Sequence, residues 1–136
     1  MKLRFLFLLA ATAAIVSFVF AEPIQVGSLS GSSDGSNITI RWVSEDEAGV
    51  LRFEIERRAG VSGQFFLLSA LPLRGNNSSY EYIDETAYRV AESVYQYQVK
   101  VVYTNGSAPA YYGPITVRHS VSSVRRTWGS IKAMFR

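Results

Sequence analysis

The chain has 136 residues, 48% of them hydrophobic, and no cysteine, which removes thiol catalysis, thiolate metal sites and a disulfide framework from consideration. Its formal net charge of +3 belongs to the two ends: from Glu22 to Ser120 eight Lys and Arg face eleven Asp and Glu, whereas Val121 to Arg136 holds four basic residues and no acid. A mildly acidic body argues against a nucleic-acid-binding surface, and the roughly 115 residues after Ala21 suffice for one domain with a single core.

Lys2 and Arg4 precede an uncharged run from Phe5 to Ala21 rich in Leu, Ala, Phe, Ile and Val. That is the composition of a secretory signal helix, with cleavage expected after Val19-Phe20-Ala21. Residues 1–21 are therefore read as a signal peptide and the mature chain as secreted or held at the cell surface or envelope. The alternative is an uncleaved membrane anchor, because the run is only slightly short of the roughly 20 residues that span a bilayer. An exported domain without disulfides fits a bacterial module better than a small eukaryotic one.

The body reads as short strands separated by turn residues. Ile24 to Leu29 is the expected first strand, followed by a loop over Ser30 to Ser36, where every residue is small or polar. Asn37 to Val43 alternates, with Ile38, Ile40 and Trp42 on one face. Glu45-Asp46-Glu47 and Gly49 form a solvated turn, and Leu51, Phe53 and Ile55 resume the alternation. After the turn Ala59 to Gly63 comes a short strand from Phe65 to Leu68, while Leu71-Pro72-Leu73 is edge or irregular because proline lacks the ladder N–H. Ser79 to Ile83 bears Tyr80 and Tyr82. Tyr95 to Tyr103 has apolar or aromatic side chains at every odd position, which requires a second sheet to cover that face. Asn105-Gly106 marks a tight hairpin, and Tyr111 to Val121 returns as the last strand, with Gly113-Pro114 as a bulge or strand start.

Seven strands at roughly ten-residue spacing predict an all-β, seven-stranded antiparallel sandwich of the immunoglobulin-like kind. The succession Ile38 to Trp42, Phe53 to Arg57, Tyr82 to Asp84, Tyr95 to Val101 and Asn105-Gly106 resembles a fibronectin type III domain, and is most similar to bacterial versions. The resemblance spans about Pro23 to Val121, so residues 22–121 are expected to form that domain. It implies that Trp42 is the core tryptophan and Tyr95 the tyrosine that bonds back to the preceding loop. At Ala91-Glu92-Ser93 the chain departs from the Pro-Gly or Gly element frequent in the family.

No catalytic constellation emerges, and the protein is read as a non-enzyme without cofactor or metal. His119 is the single histidine and stands next to Ser120, so in a strand the two point to opposite faces and do not serve one substrate; His119 is expected at the surface. Glu45-Asp46-Glu47 lacks the Asp-x-Asp-x-Asp-Gly spacing of a calcium loop. Glu54 and Glu56, about 7 Å apart on one strand face, suit a retaining glycosidase pair in distance. Flanked by Arg52, Arg57 and Arg58, they fit cross-strand charge pairing better. All four asparagines lie in Asn-x-Ser/Thr triplets, glycan acceptors in a eukaryotic secretory pathway, although three fall in Ser-rich turns that generate such triplets by composition.

The segment 122–136 is a short basic amphipathic tail. Val121, Val124, Trp128, Ile131 and Phe135 recur at helical spacing, with Arg125, Arg126, Lys132 and Arg136 largely off that stripe. Too short for a stable free helix, it needs a surface: its own domain, a protein partner or neighbouring copy, or an anionic membrane. Arg125, Arg126, Trp128, Ile131, Lys132 and Phe135 are the candidate partner-binding residues. The functional expectation is a secreted or envelope module for protein–protein interaction, adhesion or assembly, with the tail as a docking or sorting segment. The competing expectation is a carbohydrate-binding accessory module that stacks sugars on Tyr80, Tyr111 and Tyr112.

Overall fold

The computed structural model describes residues 15–17, 21–89 and 92–120. The expected signal segment lies almost entirely, and the tail entirely, outside the described residues. Seven strands run as β1 (Ser30–Ser33), β2 (Ile38–Val43), β3 (Val50–Ala59), β4 (Phe66–Leu71), β5 (Ser79–Asp84), β6 (Glu92–Tyr103) and β7 (Ala110–Ser120), with one 3-10 turn at Thr86–Arg89. They form two antiparallel sheets, a three-stranded one ordered β1-β2-β5 and a four-stranded one ordered β4-β3-β6-β7. The inward faces make one core, a β-sandwich as the alternation predicts.

Trp42 centres that core at 1% exposure. Its ring stacks on Tyr80 at 5.2 Å with a 2° interplanar angle, and Phe53 meets it edge-on at 6.0 Å. Ile38, Ile40, Phe53, Ile55, Tyr97, Val99 and Val101 fill the rest, each at an alternate position of β2, β3 or β6.

The first strand is not where the apolar residues suggest. Ile24 makes only an isolated bridge to Ser44, and the chain then turns, with Ser28 N–H donating to the Gln25 carbonyl at 3.1 Å. The paired strand is Ser30–Ser33, inside the stretch expected to be loop. Its small residues answer a close approach: a Cβ at Gly31 would sit 2.6 Å from Val117 Cγ2. The short connection to β2 is closed by Asp34 Oδ1, which accepts from the Ser36 and Asn37 N–H groups at 2.7 Å each.

Two bulges shift the expected faces. Pairing of β3 with β6 slips between Val50 and Arg52, so Val50 turns inward and Leu51, expected in the core, is 49% exposed. Pairing of β3 with β4 slips at Ile55/Glu56, leaving Leu68 as the extra residue, and β4 continues through Leu71. A third slip, between Tyr97 and Val99 in β6, falls opposite Gly113-Pro114 of β7. Gly113 has φ 103°, and a Cβ there would lie 3.0 Å from the Tyr97 carbonyl oxygen, so the bulge requires glycine.

Candidate binding surfaces

Two buried carboxylates, Asp84 and Glu47, are each held by several partners. Asp84, fully buried at the end of β5, accepts hydrogen bonds from Arg57 Nη1 (2.6 Å), the Tyr97 hydroxyl (2.6 Å), and the Thr86 hydroxyl and N–H (2.7 and 2.9 Å). Burial alone would raise the Asp84 pKa, but the bonds from Tyr97, Thr86 and Arg57 outweigh it and hold the carboxyl below its ordinary range. Tyr95, the expected corner residue, is buried with the Arg57 guanidinium 5.0 Å over its ring, while the link from β6 to the end of β5 comes from Tyr97.

Three surface expectations are corrected here. Glu47, expected in a solvated turn, is buried and accepts from the Tyr80 hydroxyl at 2.5 Å and from Gly75 N–H at 2.9 Å. Tyr80, expected as part of a sugar-stacking surface, lies in the core against Trp42. His119, expected outside, is fully buried, with Nδ1 2.7 Å from Ser33 Oγ and Nε2 without a partner among the described residues. Alternation explains the last: Val117 and His119 share the inward face of β7, and Ser120 points away.

These clusters predict a late alkaline transition. Burial, then hydrogen bonding to Glu47, pushes the Tyr80 hydroxyl up to about 12; burial and the bonds to Asp84 and Glu22 push Tyr97 and Tyr112 further in the same direction. Because the folded state favours the neutral phenols, their contribution is complete below the ordinary value of about 10 and is lost as pH rises through the folded values. Absorbance at 295 nm is expected to show these three of the eight tyrosines ionising last, together with loss of the fold. Three early-titrating phenols in their place would contradict the burial.

The outer face of the four-stranded sheet is the most developed surface. Glu54 is covered by Arg52 (3.7 Å) and its cross-strand neighbour Lys100 (3.9 Å), rather than lying on an open wet face. Glu56 accepts from Gln98 Nε2 at 2.8 Å, so the two carboxylates take part in cross-strand pairing. Arg58 donates to Gln96 Oε1 at 2.8 and 2.6 Å, lies 4.6 Å over the Phe65 ring, and Gln96 in turn donates to Thr116. Beside this ladder is a shallow concavity of about 480 Å³ lined by Glu56, Gln64, Phe65, Gln98 and Tyr111. Tyr111 is 52% exposed, while the Tyr112 hydroxyl is engaged by the Glu22 carboxylate.

Tyr111 is legible as a surface residue, but Phe65 and Gln98 as its neighbours and the buried, bonded role of Asp84 are not expected from the sequence. Asp84 had a signal: it follows Tyr80 and Tyr82 at the same spacing, so it shares their inward face and must find partners there. Arg125, Arg126, Trp128, Ile131, Lys132 and Phe135 lie outside the described residues. Among the described residues no group of three or more His, Asp or Glu is placed to hold a metal ion. Comparison with protein-family models, curated proteins and solved structures gives no match.

Proposed function

We propose that this protein is a secreted or envelope-associated, non-enzymatic module of the fibronectin type III kind, acting in protein–protein interaction, adhesion or assembly. The carrying observation is the contrast between its two kinds of surface. The buried carboxylates of Asp84 and Glu47 are held by partners within the fold, whereas β4, an edge strand without a charge, leaves Phe66 and Leu67 68% and 57% exposed. An uncharged edge strand with outward apolar side chains suits a protein partner. The fibronectin type III resemblance is supported by the three-on-four strand arrangement and by Trp42 in the core on β2. Export is supported by the segment directly after the expected cleavage point being part of the fold, since the Glu22 and Pro23 carbonyls accept from Asp46 and Glu45 N–H at 3.0 Å.

Deletion after Ser120 tests the reading. The shortened protein is expected to keep its melting transition and to lose retention at the cell surface; undiminished retention would remove the tail from the function. A carbohydrate-binding reading keeps one observation in its favour, the exposed Tyr111 beside Phe65 on the concave sheet face. Binding to cell-wall or matrix glycans that is abolished by Tyr111→Ala would favour it over the protein-interaction reading.

A further inference from the structure

At one edge of the sandwich β1 packs beside β7, with Gly31 against Val117 and Ile115. Beside that contact are the turn at Gln25–Ser28, which precedes β1, and the bulge at Gly113-Pro114 in β7. Between them is a groove of about 400 Å³ lined by Ile24, Val26, Leu29, Tyr111, Tyr112 and Ile115. Val26 is 79% exposed on its rim, so apolar surface faces water where a folded domain ordinarily buries it. Glu22 stands at the mouth, its carboxylate accepting from the Tyr112 hydroxyl.

We propose that this groove receives the chain's own C-terminal segment, residues 121–136. Three observations select that occupant. Its chemistry matches, since Trp128, Ile131 and Phe135 supply an apolar stripe for Val26, Leu29 and Ile115, and its basic residues supply cations for Glu22. Its charge is complementary, with four basic residues and no acid against a body bearing eight basic and eleven acidic residues. Its length also fits.

β7 ends at Ser120, five residues beyond Ile115, so the tail starts about 17 Å from the groove. Sixteen residues reach back over that distance whether helical or extended. The short tether favours the same molecule over a second copy by raising the effective concentration. The proposal goes beyond the interaction reading, because it holds whether or not the tail also meets a partner; such a partner has to compete with the groove.

The absence of cysteine makes a direct test possible. In the full mature chain, Val26→Cys is combined in turn with Trp128→Cys, Ile131→Cys and Phe135→Cys. Leu67→Cys, on β4 at the opposite edge of the four-stranded sheet, serves as the control site with the same tail positions. At least one Val26 pair is expected to close into an intramolecular disulfide on the order of tenfold faster than its control. In parallel, the emission of Trp128, taken as the difference from Trp128→Phe, is expected to be blue-shifted and to move red in Val26→Arg, which places a cation on the rim. Closure no faster than the control overturns the proposal. So does a product made only of disulfide-linked dimers, which would mean exchange between copies. A Trp128 shift that appears only on adding anionic vesicles would overturn it in favour of a membrane.

Discussion

Asp84→Ala is expected to cost about 3–5 kcal/mol of folding stability, enough to lower the melting midpoint by roughly 15–30 °C in a domain of this size. Asp84 belongs to the three-stranded sheet, but Arg57 and Tyr97 reach it from β3 and β6 of the other sheet, and Thr86 from the turn that follows. Removing the carboxylate leaves the buried Tyr97 phenol with no acceptor and a half-buried Arg57 guanidinium with only the Thr86 hydroxyl, which is more costly than the loss of the bonds themselves. Asp84→Asn keeps the volume and part of the acceptor capacity and is expected to recover some of the loss. The two variants also differ from the parent in pH dependence. With the folded carboxyl held below its ordinary range, its contribution is present above about pH 4 and disappears as pH falls through the folded value. Urea denaturation at pH 7 and pH 3 should therefore show the gap between the parent and Asp84→Asn narrowing at the lower pH. A gap of constant size would mean that the carboxylate's charge is not what holds the sheets together.

How far the sequence led depended on whether a residue's placement follows from its own pattern or from a neighbour. β2 and β6 are legible because Ile38, Ile40 and Trp42, and Tyr95, Tyr97, Val99 and Val101, alternate without interruption and all end up buried. β1 was hidden because its composition, Ser-Gly-Ser-Ser, is that of a loop; only the nearness of Val117, Ile40 and Ile115 shows why nothing larger than glycine stands at residue 31. Leu51 is misjudged for a related reason. A bulge adds one residue against the partner strand, and nothing in an apolar run announces it. Glu47 and His119 show the opposite limit. Each is polar and was placed outside on that ground, yet each is inside with a specific partner, Tyr80 for one and Ser33 for the other. Partners of that kind come from strands distant in sequence, so side-chain type alone does not reveal them.

Trp42→Ala is expected to cost a further about 3–5 kcal/mol, by a different mechanism. The indole lies flat on Tyr80 and is met edge-on by Phe53, which itself stands edge-on to Tyr80 at 5.1 Å, so three rings from β2, β3 and β5 close on one another. Deleting the indole opens a cavity bounded by both sheets, which cannot collapse without moving their strands. The loss should spread along Tyr80. Its hydroxyl accepts from Arg74 N–H at 2.7 Å and donates to Glu47, so a shift of that ring releases the connection between β4 and β5 as well as the turn before β3. Hydrogen exchange in Trp42→Ala should therefore accelerate at Arg74 and Gly75 before it does in β6 and β7. Trp42→Phe separates volume from polarity. Trp42 Nε1 has no hydrogen-bond partner among the described residues, so phenylalanine removes a buried donor along with part of the ring. Its cost should accordingly be well under half that of alanine, measured by urea denaturation of both variants. Equal costs would show that the core depends on the shape of the indole, and that the stack on Tyr80 contributes less than its geometry implies.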